Sequence, residues 1–373
     1  MKKIAFITAH NHPQNDNTLK ILKENFAEYE FEVIKIVNLI KQNKVVYFTN
    51  ILMTFFEFGF EIIKGNQKFR KIFFRTAYIF REVKKLVNEK LQKGNFEFSF
   101  QIGSVFDTSL KGLPHFLYTD HTHLANLDYP AFSRSELLPE KIIRLEESIY
   151  KNASLNFTYS TNITNSIIRQ YNCPQDQVAC VYAGSNAKVE EIDPQIERYK
   201  NKNILFVGID WERKGGPELV SAFSKILEKH PDAKLTIIGA NPEISLLNCN
   251  VLGKIPVEQV NEYYKSASLF CMPTKREPFG LVFIEAMLYK LPVVATNIGA
   301  IPDFISNDEN GYLVNSGDIE SIAGSIINLF NDPEKCMRFG LEGYNRAIEK
   351  YTWEMVGKRM RDHIIKVLGN WKE

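Results

Sequence analysis

The second half of the chain alternates between two patterns. Short apolar runs of strand type give way to longer amphipathic runs of helical period. NILFVGID (203–210), KLTIIGA (234–240), SLFCMPT (268–274), PVVATNI (292–298) and a short run at 311–315 read as strands. Between them, 217–230, 257–267 and 281–289 read as helices, the first with Pro217 at its start, and helices follow to the end of the chain. Alternation at this spacing dictates βαβ units, hence a parallel sheet with helices on both faces. Such sheets hold their ligands at the carboxyl ends of the strands.

The first half reads as a second unit of the same kind, less regular. Strands are expected at 3–8, 31–37, 98–103, 115–119 and 153–159. The charged stretch VEEIDPQIERYKN (189–201) is the linker candidate. One segment, 45–94, shows no clear strand. From Lys41 to Lys93, twelve Lys or Arg face four Glu. Phe55, Phe56, Phe58 and Phe60, then Phe69, Phe73, Phe74 and Phe80, are interleaved with those charges. Two readings compete. The phenylalanines fill the first domain's core while the lysines face water, or amphipathic helices dock on an anionic membrane surface.

Bulk properties narrow the function classes. A length of 373 residues argues for two domains. A formal net charge of +2 gives no footing for nucleic acid as a partner. Five cysteines, an odd set without a C-x-x-C pair, fit reduced thiols in a cytosol. The N-terminal MKKIAFITAH reads as a first strand rather than a leader, and no apolar run reaches the ~18 residues of a spanning helix. Sequons at Asn152, Asn156 and Asn162 read as strand and helix-cap chemistry. The expected location is the cytoplasm, with peripheral attachment to the inner face of the membrane if 45–94 docks.

EPFGLVFIEAM (277–287) carries the chemistry. Glu277 falls in the loop at the carboxyl end of the strand 268–274. Pro278, Phe279 and Gly280 lead from it into a helix whose first turn, at Leu281, presents free N–H groups and the positive end of the dipole. That suits a phosphate. Glu285 lies further in, among Val282, Phe283, Ile284 and Ala286. A carboxylate there needs donors, and a ribose diol offers two hydroxyls. Glu277, closer to the open cleft, suits the hydroxyls of a sugar or a developing positive charge.

Glu277 and Glu285 resemble the E-x7-E motif of retaining glycosyltransferases of family four, which have the GT-B fold. TKREPFGLVFIEAM is followed by LPVVATNIGAIPDFI, similar to that family's P-V-V-A and G-x-x-P-x-x-I segment. LFVGIDWERKGGPELVSAF and YNCPQDQVACVYAGSN are similar to two further family segments. The likeness runs from about Tyr171 to Trp353. It implies that Lys214 meets the leaving-group phosphates beside Gly215 and Gly216. It implies that Glu285 takes the ribose and Glu277 the donor sugar, and that Gly299, Ala300 and Ile301 turn their backbone to the donor. Gly208 ends the strand beneath that site. The family arginine after this glycine is absent: Ile209 stands there, and Arg213 is the candidate to supply its charge from the next turn.

In the first domain the glycine-rich loop of the family is missing. His10, Asn11 and His12 follow the first strand instead and are the acceptor-side candidates. YTDHTHLANLDYP (118–130) stands where the family places a histidine facing the donor sugar; His121 is the match and Asp120 its rival. The expected architecture is α/β: two Rossmann-like doubly wound domains with a cleft between them, closing by a hinge around the substrates. The first domain spans 1–198 with a return helix at 352–373, and the second spans 199–351. The expected function is transfer of a sugar, with retention, from a nucleotide diphosphate sugar (UDP first, GDP second) to an acceptor hydroxyl on a glycan or lipid-linked molecule. No metal and no other cofactor is expected. Two rivals stand beside this: a catalytically inactive GT-B scaffold, and a metal-dependent hydrolase using His10-x-His12 and His121-x-His123 as strand-face ligand pairs.

Overall fold

The computed structural model describes residues 2–9, 13–65, 68–187 and 195–372. The chain divides into two compact units. The first comprises 1–126, 133–182 and 356–373; the second comprises 127–132 and 183–355. Each is built on one six-stranded parallel sheet. The architecture is two Rossmann-like units, the GT-B class.

In the first unit, β1 (Lys3–Thr8), β2 (Glu30–Lys35), β3 (Phe96–Ile102), β4 (His115–Thr119), β5 (Leu155–Thr158) and β6 (Val178–Cys180) lie in the order β2-β1-β3-β4-β5-β6. One face of this sheet is aromatic. Phe100 stacks on Phe6 and Phe157 at 6.2 Å, and Phe98 meets Phe116 edge-on at 5.3 Å. Burying each such ring contributes roughly 2–3 kcal/mol. The terminal helix Trp353–Lys372 covers part of this face, with Val356, Met360 and Ile364 fully buried at one-turn spacing and His363 against Phe157. The opposite face packs Ala5, Ile7 and Leu117 in a core with Ile79, Val83 and Val87 of the helix Ala77–Lys93. Segment 45–94 is therefore core only in part. Phe73 and Phe80 are core, while Phe55, Phe56 and Phe60 are exposed.

In the second unit, β7 (Asn203–Gly208), β8 (Lys234–Gly239), β9 (Cys249–Gly253), β10 (Leu269–Met272), β11 (Val293–Thr296) and β12 (Gly311–Val314) lie in the order β12-β11-β10-β7-β8-β9. β10 and β11 are buried at every residue, as expected for central parallel strands covered on both faces. Part of the linker candidate, 189–194, lies outside the described residues. The remainder includes a short helix, Ile196–Lys200. Its Arg198 guanidinium is buried and donates to the carbonyls of Ala267, Tyr264 and Tyr289. Residue 198 is thus held by the second unit, and the division between units falls at 182/183 rather than 198/199.

Candidate functional site

Strand order in the second unit turns at β7. β8 and β9 are laid down on one side of it and β10 to β12 on the other. The loops leaving β7 and β10 must part there, and such switch points are where open parallel sheets bind ligands. Lys214, after β7, and Glu277, after β10, meet at this point as an ion pair. Their side chains are only 13% and 7% exposed. Breaking so buried a pair by removing one partner costs about 3–5 kcal/mol, because the other charge is left stranded.

Glycines let the loops approach. A Cβ on Gly208 would stand 3.2 Å from Cγ of Lys214, so the bare strand end makes room for the lysine stem. Gly215 has φ +76°, and a Cβ there would lie 2.0 Å from the Pro273 carbonyl oxygen. The loop after β7 is thereby seated on the loop after β10. Lys275 N–H donates to Arg213 O at 2.8 Å, and the Thr274 hydroxyl donates to the same oxygen at 3.1 Å. From the other side, Gly299 (φ +55°) brings the loop after β11 against Glu277: a Cβ would lie 2.2 Å from the Glu277 carbonyl oxygen. Ala300 is fully buried behind it, and Ile301 begins the short helix Ile301–Phe304.

Gly280, in the left-handed region at φ +98°, opens the helix Leu281–Leu288. Phe279 is buried and meets Phe304 edge-on at 5.2 Å, which fixes the approach to that helix. Its first N–H groups and positive dipole end follow directly on Glu277. Glu285 lies one turn further on and is partly buried. The Tyr264 hydroxyl donates to its carboxylate at 3.3 Å. Burial pushes the Glu285 carboxyl up from its ordinary value, and the Tyr264 bond opposes that only in part. The two glutamates thus stand differently from the expectation. Glu277, placed by its sequence near open space, is the more enclosed residue at 5% exposure, because Lys214 is there to neutralise it.

Arg213 is occupied otherwise. Its Nε donates to Asp210 at 2.9 Å and its Nη1 to the Arg276 carbonyl at 2.8 Å. The guanidinium bond holds the Asp210 carboxyl below its usual range. Two tyrosines escaped sequence reasoning. Tyr264 is the partner of Glu285, and Tyr129, though early in the chain, packs with the second unit so that its hydroxyl would lie 3.0 Å from a Cβ on Gly299. The only sequence signal for Tyr129 was its place at the end of YTDHTHLANLDYP.

Among the first-unit candidates, His10, Asn11 and His12 lie outside the described residues. Asp120 is exposed, directly after β4. His121 Nε2 bonds Asn126 Oδ1 at 3.1 Å, whereas His123 Nε2 accepts from Leu138 N–H at 2.8 Å. These histidines sit in a loop and not on a strand, so they share no strand face and their rings engage different partners. Among the described residues no three His, Cys, Asp or Glu side chains group to hold a metal ion. Of the sequon asparagines, Asn152 donates to Asp107 at 2.8 Å, and Asn156 is buried in β5, donating to Tyr150 O at 2.9 Å.

With this geometry in view, residues 188–346 match the model of a family described as glycosyl transferases group 1. The match falls within the second unit, around the site just described. An uncharacterised glycosyltransferase of Methanocaldococcus jannaschii is 31% identical over 229 residues, covering 54% of this chain and 57% of that protein. The chain spans about half the length of the curated relatives it matches. Among solved structures, sucrose-phosphate synthase from Thermosynechococcus elongatus superposes with a TM-score of 0.70 at 17% identity, covering 99% of this chain and 100% of that one. HepE of Anabaena, solved in complex with UDP, superposes with a TM-score of 0.63 at 14% identity, covering 98% and 100%. At these identities the likeness carries the fold alone.

Proposed function

We propose that the protein is a retaining glycosyltransferase that takes its donor, a nucleotide diphosphate sugar, on the second unit. The observation that carries this is the Lys214–Glu277 pair at the strand switch point, beside the helix that starts after Gly280. A diphosphate entering there meets a lysine ammonium and the N–H groups that open the helix, fixed before the reaction begins. As the bond from the anomeric carbon to the phosphate oxygen breaks, negative charge grows on the diphosphate and these groups stabilise it. The acceptor oxygen bonds to the same carbon, and its proton passes to the departing phosphate oxygen. Donor entry exchanges Glu277 from Lys214 to the sugar hydroxyls, while Glu285 takes the ribose diol. Arg213 adds positive field from the rim, and Gly299 and Ala300 line the donor with backbone. His121, with Asp120 as the rival, is the first-unit candidate for a sugar contact. With cationic groups and a helix start to meet the phosphates, the reaction needs no bridging metal, and turnover survives EDTA.

Uridine is the first choice of base and guanosine the second; HepE, of similar fold, was solved with UDP. The acceptor hydroxyl belongs to a cell-surface glycan, glycolipid or polysaccharide precursor. The protein works in the cytoplasm, peripherally on the membrane. The test is incubation with UDP-, GDP- and ADP-sugars. Slow hydrolysis of one donor, with the α-anomer of the sugar released first from an α-linked donor, supports the reading. Binding of nucleotide without any hydrolysis or transfer makes the protein an inactive scaffold.

A further inference from the structure

The helix Lys44–Ile63 turns one face inward and leaves another bare. Val46, Asn50, Thr54 and Phe58 point in, four residues apart, and all are buried. The Asn50 amide donates to Phe73 O at 2.6 Å and accepts from the Thr76 hydroxyl, and Phe58 packs in a cluster with Ile72 and Ile142. Asn43 caps the start by accepting from Val46 N–H. The helix is therefore pinned. On its other side lie Val45, Phe48, Leu52, Phe55, Phe56, Phe60 and Ile63, each between 54% and 87% exposed. At 100° per residue they fall within about 140° of the circumference, along a helix about 30 Å long. A continuous apolar stripe of this size calls for something to cover it. Among the described residues no helix is long and apolar enough to cross a membrane.

A cavity of about 260 Å³ adjoins the stripe. Tyr47, Phe69, Phe73 and Phe74 line it, together with Lys41 and Arg70, both exposed cations. It is joined to the stripe by ring contacts: Tyr47 meets Phe48 at 5.7 Å, and Phe69 meets Phe55 at 5.4 Å. Two cations on an aromatic wall suit a phosphate carried on an apolar body: the guanidinium forks onto its oxygens, and the ammonium adds charge. Further cations stand at the ends of the stripe. Lys44 begins the helix, and Lys64 follows it with its ammonium 4.1 Å from the Phe60 ring centre. Glu57 is turned away, within reach of Ala77 N–H at 3.4 Å and Lys141 at 3.9 Å.

We propose that this face docks on an anionic lipid bilayer, with the stripe sunk at the boundary of headgroups and acyl chains and a lipid phosphate seated in the Lys41–Arg70 cavity. Apolar residues flanked by cations are what that boundary selects. The consequence for the acceptor, that it is borne on a lipid, rests on the glycosyltransferase reading; the docking itself does not.

The experiment is flotation of the full chain with vesicles of phosphatidylcholine, with and without phosphatidylglycerol, at low and high salt. Wild type should float with the anionic vesicles and lose much of that binding in high salt. Phe56→Ser with Phe60→Ser, at exposed positions that leave the inner face intact, should lower partition roughly a hundredfold on both vesicle types. Lys41→Ser with Arg70→Ser should cost roughly thirtyfold on anionic vesicles and less on neutral ones. Circular dichroism melts check that each variant is folded. Wild type unbound to anionic vesicles at low salt overturns the proposal. Equal anionic binding by wild type and the Lys41/Arg70 variant overturns the headgroup site. Self-association removed by the Phe56/Phe60 changes, with no vesicle binding, makes the face a contact between copies and overturns the lipid. Turnover of UDP-, GDP- and ADP-sugars is measured on the same samples. Turnover without vesicle binding sinks only the docking; vesicle binding without turnover sinks only the enzyme reading.

Discussion

The two sheets are the same size and both wholly parallel, yet among the described residues only the second builds a compact constellation of charge at its switch point. In the second unit the chain between β8 and β10 is laid down as a further edge strand, β9, and a single helix. In the first unit the corresponding chain, between β2 and β3, makes no strand among the described residues. It is given to helices, among them Lys44–Ile63 and Ala77–Lys93. β2 is left as the edge, with Glu30, Glu32 and Lys35 along it, and charges of this kind protect an edge from pairing with another chain. The units therefore part in where each places its irregular residues. The second keeps short loops tied together by glycine contacts around Lys214 and Glu277. The first spends a long insertion on an exposed apolar face.

If the second unit is the electrostatic half, its lysine should matter most. Lys214→Ala should lower kcat/KM by roughly 10²–10³, the scale for losing one preorganised donor to a developing charge. It also strands Glu277, so stability should fall too, and Lys214→Ala with Glu277→Gln should recover part of that stability but none of the turnover. Near-normal turnover of the single variant would remove Lys214 from the site.

The next largest contrast is between two glycines. Gly215→Ala should destabilise by about 3 kcal/mol, from left-handed strain plus a clash with backbone. Gly103, just past β3 in the first unit, has φ +81°, and a Cβ there would meet nothing within 4 Å. Gly103→Ala should cost only the strain, about 1–2 kcal/mol. Equal losses in urea titrations would show that the loops after β7 and β10 are not seated on each other.

Within the second unit, the two glutamates can be separated. Glu285→Ala should weaken UDP or GDP binding about tenfold or more, the scale for a charged hydrogen bond. Tyr264→Phe should weaken it only a few-fold. Glu277→Gln should spare free-nucleotide binding while cutting turnover. Calorimetry showing the reverse pattern would exchange the roles of Glu277 and Glu285.

Much of this was legible in the chain and some was not, for physical reasons. Central strands such as β10 and β11 announce themselves because burial on both faces demands a continuous apolar run. β9 does not, because an edge strand with half-exposed residues (CNVLG) carries little pattern, and β6 has only three residues. The spacing of Glu277 and Glu285 on the loop and helix was readable. Their burial was not, because Glu277 is settled by a partner 63 residues away. Helical period in 44–63 was blurred because apolar residues occupy both the buried face and the exposed one. Tyr129 was invisible as a second-unit residue, since no local pattern records which unit a loop packs on.

Acid should separate the two units by a smaller effect. His115, at the start of β4, is fully enclosed, with Ser99 Oγ at 2.8 Å from its Nδ1. Burial pushes its pKa down from 6.5 to about 4, so the folded ring stays neutral where the unfolded one is protonated. The unfolded state therefore binds more protons between these values, and stability is lost as pH falls from about 6.5 towards 4, at up to roughly 1.4 kcal/mol per pH unit. Asp107, in the same unit, acts in the same direction at lower pH. Burial pushes its carboxyl up, but bonds from Lys84, Ser109 and Asn152 outweigh burial and hold it low, so its contribution is lost as pH falls through the folded value. In the second unit burial also pushes His230 down, which acts in the same direction, but β10 offers no such group along LFCM, and Glu285, raised by burial, gains relative stability on protonation. Amides of β4 and β5 should thus lose protection from hydrogen exchange between pH 6.5 and 4.5 before those of β10 and β11, after correction for intrinsic rates. His115→Gln should flatten that loss in the first unit. If both sheets lose protection together, and the variant changes nothing, the buried histidine is not what sets the acid sensitivity of the first unit.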